Sequence, residues 1–414
     1  MRQISSAVLI AAVCGCGNES RLTRPLEAPV RAKAAAHYEV VKRSSSLGGT
    51  ASRGTAISNR GWVAGWSNLP GDAGRHATSW RDGSILDLGT LGGPGSTVPW
   101  PGQNNGGMIV GISQTAEPDP LHEDWSCEAG GFLPETTDLI CRGFVWENGV
   151  MRELPTLGGN HGFATGVNNR GQVVGWAETP VHDPTCLEPQ VLQFRAVMWE
   201  PRRGTKQELP PIAGNSTSAA TAINEKGQVV GISGDCDQAV GRFSALHAVL
   251  WENGTATEIP NLGGVTWHTP MDINDSGDVI GFSNPPGPGD PEGEFISHAF
   301  LWVHGSETAE DLGTVGGDPL SEAFAINSRG QIVGISFGGP DGPRGFIWQD
   351  GVMTDLNELV DSPDRILSAQ DINDAGEITG RVLDQATGET LAFVATPVPA
   401  GPDVDPPAAH STSR

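Results

Sequence analysis

Apolar residues in this chain fall in short runs, many of them β-branched, and glycine, asparagine or aspartate closes most of them. That pattern predicts many short β-strands joined by tight turns. One segment returns almost unchanged. Residues 222–231 read Ala-Ile-Asn-Glu-Lys-Gly-Gln-Val-Val-Gly, and residues 325–334 read Ala-Ile-Asn-Ser-Arg-Gly-Gln-Ile-Val-Gly. Variants run from Gly166 to Gly175, Asp272 to Gly281 and Asp371 to Gly380, with weaker copies from Ala56 to Gly65 and Gly102 to Gly111. The turn glycines are Gly61, Gly107, Gly171, Gly227, Gly277, Gly330 and Gly376, spaced 46, 64, 56, 50, 53 and 46 residues apart.

The segment reads as a β-hairpin. Ile223 ends one strand, and Asn224 opens a turn that its side chain braces by accepting a backbone N–H. Gly227 supplies the positive φ that returns the chain, and Val229 and Val230 begin the next strand. Gly231 is expected where a side chain would crowd a neighbouring sheet.

Two further strands recur in each period. One ends in Trp80, Trp146, Trp199, Trp251, Trp302 or Trp348, and its seventh copy, Leu391 to Ala395, lacks the tryptophan. The other is marked by Leu47, Leu88, Leu154, Leu209, Ile259, Leu312 and Leu356. Seven copies of four strands make twenty-eight. A single four-stranded unit cannot bury both faces, so the units must stack, and radial stacking closed into a ring is a β-propeller. The expectation is an all-β, seven-bladed propeller over residues 37–397, its repeated Trp, Leu and Val positions packing between blades. The chain opens in a leucine-type strand (Tyr38 to Leu47) and ends after a tryptophan-type strand. Which strand closes the ring depends on which one is innermost, and the sequence leaves that open.

These motifs resemble the HAF-repeat family of extracellular repeat proteins. Its unit joins a Leu-Gly-Thr-Leu-Gly-Gly stretch, an Ala-Ile-Asn turn and a His-Ala-Phe stretch before tryptophan. Asp87 to Gly93, Ala325 to Gly334 and His298 to Trp302 match most fully, and the resemblance covers about residues 38–397. It implies an exported repeat protein and brings no catalytic residues. Ser58, at the usual asparagine position, and the altered second copy at Pro101 to Gly107 depart from the pattern.

Composition adds a compartment. Arg2 followed by the short apolar stretch Ala7 to Val13 reads as a signal peptide, too short to span a bilayer. The Val13-Cys14-Gly15-Cys16 stretch then resembles a bacterial lipobox, with Cys16 as the lipidated residue. On that reading residues 1–16 are the signal segment, 17–36 a polar tether, and 398–414 a proline- and alanine-rich tail. The protein is expected as a monomer, lipid-anchored in the cell envelope at the outer membrane or cell surface. The formal net charge of −24 argues against nucleic acid and favours cationic partners.

Export makes Cys127, Cys141, Cys186 and Cys236 disulfide candidates. Four cysteines allow three connectivities. The repeat map favours Cys127–Cys141 within one insertion and Cys186–Cys236 between equivalent insertions of successive blades. The longest insertions, 114–140, 178–193, 234–246 and 285–296, all separate the valine strand from the tryptophan strand, so they share one face. Loops on a rigid scaffold are where binding concentrates, which makes Glu123, Asp124 and Trp125 the binding-face candidates.

No cofactor is expected. The sharpest cation candidate is Asp272, Asn274, Ser276 and Asp278, whose alternating oxygens before a glycine suit calcium; Asp371 to Glu377 is a poorer copy that lacks an oxygen at Ala375. The repeat as an ordinary turn is the competing reading. Gly-x-Ser-x-Gly, His-Glu-x-x-His and phosphate-loop motifs are absent from the sequence. His76, His247 and His298 share a strand position with arginines of other copies, which marks scaffold. The expected function is a non-enzymatic binding or scaffold module that engages extracellular protein or polysaccharide through the loop face. The alternative is a polymer-degrading hydrolase or lyase with its site at the central channel.

Overall fold

A computed structural model describes residues 36–42, 46–123, 132–134, 137–237, 241–287 and 295–398. Among them are twenty-eight strands in seven four-stranded antiparallel sheets. The chain is a seven-bladed β-propeller. The inner strands are Ser52–Ile57, Gly92–Thr97, Gly162–Val167, Thr217–Ile223, Thr269–Ile273, Leu320–Ile326 and Arg365–Ile372 for blades 1 to 7. Blades 1 to 6 then run outward in sequence order, and each inner strand packs on its neighbour's second strand.

Because the strand before the asparagine turn is innermost, the first strand of the chain is left for the outside. His37–Lys42 pairs antiparallel with Thr390–Val398 and completes blade 7, so the two ends of the propeller are hydrogen-bonded into one sheet. Tyr38 is buried in the core of that blade, and Lys42 bonds Asp384 at 2.6 Å and Asp364 at 3.0 Å. The propeller-forming strand ends at Lys42, short of Leu47. Leu47 lies in the linker, where its N–H donates to Ser67 Oγ at 2.9 Å, as the N–H of Leu91 does to Ser113 Oγ. Leu47 is therefore the counterpart of Leu91, not of Leu88.

The hairpin glycine has a different reason from the one expected. A Cβ on Gly231 would sit 2.0 Å from the Ala219 carbonyl oxygen, and on Gly65 1.9 Å from that of Arg53. The obstruction is the inner strand of the same blade, which bulges there by one residue, and not a neighbouring sheet. The shared histidine and arginine position is scaffold through a cross-strand pair. His76 meets Asp87, Arg142 Glu153, Arg195 Glu208, His247 Glu258, His298 Asp311 and Arg344 Asp355, at 2.7–3.9 Å.

The repeated asparagine ties blades together. Asn224 Oδ1 accepts from the N–H groups of Lys226 and Gln228, both at 3.0 Å, and its Nδ2 donates to the Asn274 carbonyl of the next blade at 2.9 Å. Asn104, Asn168, Asn327 and Asn373 make the same outward donation, to Asn168, Asn224, Asn373 and Ser58. One residue later a second belt forms. The N–H of Asn59 donates to Asn105, Asn105 to Asn169, Asn169 to Glu225, Glu225 to Asp275, Ser328 to Asp374 and Asp374 back to Asn59.

Ser58 has no amide to reach Asn104, so the first belt is broken between blades 1 and 2. We expect Ser58→Asn to restore that bond and raise stability by about 1 kcal/mol, the usual net worth of one hydrogen bond. Urea unfolding should show a higher midpoint at unchanged slope, and an unchanged or lower midpoint would count against the role given to this side chain.

Candidate functional site

Inner strands run toward the asparagine turns, so the second-to-third-strand insertions and the inter-blade linkers all emerge at the opposite end of the channel. The two ends differ in chemistry.

At the turn end the belts surround a cavity of about 230 Å³. Its carboxylates are committed to backbone. Asp272 Oδ2 accepts the Ile326 N–H at 2.9 Å and Oδ1 its neighbour Ile273, which supplies the blade 5–6 link that Asn274 does not make. Asp371 does the same with Ile57 at 2.6 Å and Ile372. Burial pushes the Asp272 carboxyl up to about 6 against these bonds. It pushes Asp371 to about 8, and the Asp272 charge adds to the rise.

The calcium candidates are spent in the same way. Asn274 Oδ1 takes the N–H groups of Ser276 and Asp278, and Asp278 Oδ1 takes that of His304. Asp272 is engaged with the Ile273 and Ile326 N–H groups. These hydrogen bonds close the hairpin and link blade 5 to blade 6.

At the loop end the insertions are locked to one another. A disulfide joins Cys186 to Cys236 across blades 3 and 4, and the Leu187 N–H donates to the Cys236 carbonyl at 3.0 Å. The other expected pair cannot be placed, because Cys127 lies outside the described residues, as do Asp124, Trp125 and Cys16. Glu123, expected on a ligand-facing loop, is instead 2% exposed. Its Oε1 accepts the N–H groups of Val191 and Leu192, at 2.8 and 2.6 Å, and so ties the blade 2 insertion to blade 3.

Around Glu123 lie Asp119, His161, Glu178 and Gln190, all buried. Glu178 Oε2 accepts from Asn160 and His161 N–H, and Gln190 Nε2 donates to Glu178 at 3.1 Å. Asp119, Glu123 and His161 stand close enough to share an ion. The histidine's bonding opposes that. His161 Nδ1 accepts the Cys141 N–H at 3.1 Å, so in the neutral ring the proton sits on Nε2, 3.2 Å from Asp119 Oδ2. A protonated Nε2 has no lone pair for a metal. Burial opposes charging His161, yet Asp119 and the neighbouring carboxylates together raise its pKa. Protonating Nδ1 would cost the Cys141 bond. Asp183, Cys186 and Cys236 also lie together, but both sulfurs are in the disulfide.

Near the axis, Trp100 stacks on Phe163 at 5.0 Å with rings 8° apart, and packs against clusters from blades 2–4 and 5–6. Phe132, from the blade 2 insertion, meets Trp100 at 5.7 Å, and its carbonyl accepts from Arg75 at 2.8 Å. The insertion thus reaches over the channel. Beside it stand three ionisable side chains absent from the sequence reading: Arg53, Arg381 and Glu322. Arg75, lying 3.7 Å over the Trp66 ring, belongs to the same neighbourhood. A signal existed. The residue after the hairpin glycine is Trp66, Ile112, Trp176, Ile232, Phe282 and Ile335 in six copies, and Arg381 in the seventh.

No family model and no curated protein matches this chain. Solved structures do match at the level of fold. The β-propeller domain of the Trilobed protease from Pyrococcus furiosus is 10% identical, with a TM-score of 0.41, over 71% of this chain and 80% of that one. The polysaccharide lyase Uly1 is 9% identical, with a TM-score of 0.44, over 83% and 90%. Dipeptidyl peptidase 4 of Porphyromonas gingivalis is 8% identical, with a TM-score of 0.40, over 81% and 50%.

Two outcomes follow for the loop lock. Burial, then the Glu178 charge, push Glu123 up from 4.5 to about 7. A carboxyl raised in the folded state stabilises fully below its unfolded pKa, and that contribution is lost as pH climbs through the folded value. Between pH 5 and 8 the melting temperature of Glu123→Gln should therefore fall less than that of the parent; parallel curves would remove the effect. Replacing Cys186 and Cys236 with alanine frees a span of 50 residues and should cost about 4 kcal/mol in the chain-entropy account, read as a lower urea midpoint. A midpoint unchanged by the double replacement would show that the bond constrains nothing.

Proposed function

We propose that this chain is an exported binding module of the HAF-repeat type, held to the envelope by lipid at Cys16, and that it engages extracellular polymer or protein through its loop face. One observation carries the reading: the insertions of blades 2, 3 and 4 are joined by a disulfide and by the buried Glu123 bonds into one surface. Rigid loops lose little entropy on binding, which is what a recognition surface needs.

The hydrolase or lyase reading needs carboxylates or histidines free to act at a channel mouth. At the turn end Asp272 and Asp371 are engaged with backbone N–H groups, and at the loop end the His161 cluster is buried in the lock. The binding reading makes no such demand.

The test is recovery of native envelope material on the tagged full chain beside a variant with residues 119–138 replaced by a short turn. Material held by the parent and lost by the variant supports the loop face. Equal recovery on both, or measurable cleavage of that material by the parent, would overturn the reading.

A further inference from the structure

We propose that Arg53 and Arg381, at the loop half of the channel, form a binding site for an oxyanion, a carboxylate or a sulfate. The inference rests on the loop face being the binding face, and gives that face a ligand chemistry.

The two arginines come from blades that the ring closure brings together. A Cβ on Gly54 of the blade 1 inner strand would meet Thr379 of blade 7, so these strands are in contact. Arg53 precedes that glycine, opposite Trp66, and Arg381 lies two residues past Thr379, opposite Ser368. Arg381 breaks the repeat, whereas Arg53 stands at a position that varies from blade to blade. Where Arg53 stands, blades 2 to 7 carry Thr97, Phe163, Ala219, Thr269, Glu322 and Ser368. Where Arg381 stands, the other six blades carry apolar residues.

Neither guanidinium is neutralised. Arg53 donates to Gln370 Oε1, an uncharged acceptor, and its buried Nε has no partner. Arg381 has no hydrogen-bond or ion-pair partner among the described residues, and its Nε is buried as well. Both side chains keep partial exposure, so solvent reaches them. The nearby carboxylate is Glu322 of the blade 6 inner strand, and it makes no ion pair with either. Burial with the Arg381 and Arg75 charges brings Arg53 down to about 9, which leaves it cationic at neutral pH.

Two like charges held together in a low-dielectric channel weaken the fold unless an anion joins them. A guanidinium offers paired donors that match the oxygens of a carboxylate or a sulfate. The chain carries a formal charge of −24 overall, so the general surface repels such ligands and this local pair must supply the attraction. Glu322 lowers that attraction, so neutralising it should strengthen binding.

The experiment uses the full chain, with inorganic sulfate, an oligogalacturonate and a neutral cello-oligosaccharide as probes, read by calorimetry and by thermal melting. Sulfate and oligogalacturonate should bind and raise the melting temperature, and the neutral sugar should do neither. A tighter oligogalacturonate identifies a carboxylate on a saccharide as the source; comparable sulfate binding identifies the bare oxyanion. Arg53→Gln with Arg381→Gln should weaken binding at least tenfold, and Glu322→Gln should tighten it severalfold. Without ligand, Arg381→Met should melt no lower than the parent, because it removes an unneutralised charge.

Absence of binding by both anions, binding within twofold of the parent in the double variant, or a lower ligand-free melt for Arg381→Met would each overturn the proposal. If envelope material is lost with the 119–138 replacement yet kept by the double arginine variant, the loop face stands and the oxyanion site falls. Loss of neither would remove both.

Discussion

The asparagine turn is the interaction on which this propeller depends. A blade is a two-faced sheet that cannot keep both faces dry alone, and apolar packing between blades is not directional enough to fix their angle. The turn supplies direction. One side chain closes its own hairpin through Oδ1 and reaches the next blade through Nδ2, so local folding and ring assembly share a residue. Between blades 5 and 6, where Asn274 bonds Asp278 and not the next blade, Asp272 covers the gap.

Ring closure creates the other special place. Pairing of the first strand with the last one brings blade 1 against blade 7, two units far apart in sequence. A site built there can hold residues that no local segment would place together. Arg53 and Arg381, neither with a counter-charge, lie at that seam, while carboxylates at the other end of the channel are consumed in holding blades. The arginines lack a counter-charge at one end of the channel, and the carboxylates at the other accept backbone N–H groups.

The loop face illustrates the same division. Glu123 looks in sequence like one more acidic loop residue, yet in three dimensions it caps two N–H groups of the following blade. His161 looks unpaired, and its partners are an aspartate 42 residues earlier and a backbone amide 20 residues earlier. Rigidity of this face is thus built from buried polar contacts between insertions, together with a disulfide, and not from any single loop.

What the sequence determined by itself is what repetition can encode. Seven turns with glycine at a fixed offset, six of them with asparagine three residues earlier, specify strand number, hairpins and the stacking of like units. The shared position of the insertions specifies one loop face and suggested the Cys186–Cys236 bridge. Short-range chemistry sufficed because each repeat carries its own turn and its own strand pattern. Tertiary structure alone decided which strand is innermost, and therefore that the first strand closes the last blade. It also decided why Gly231 must lack a side chain, since the obstructing carbonyl belongs to a bulge that no residue code marks. Above all it decided which departures from the repeat meet in space. Arg381 was visible as an exception, but only the closed ring sets it beside Arg53, because contact between the first and last blades is a property of closure and not of any segment.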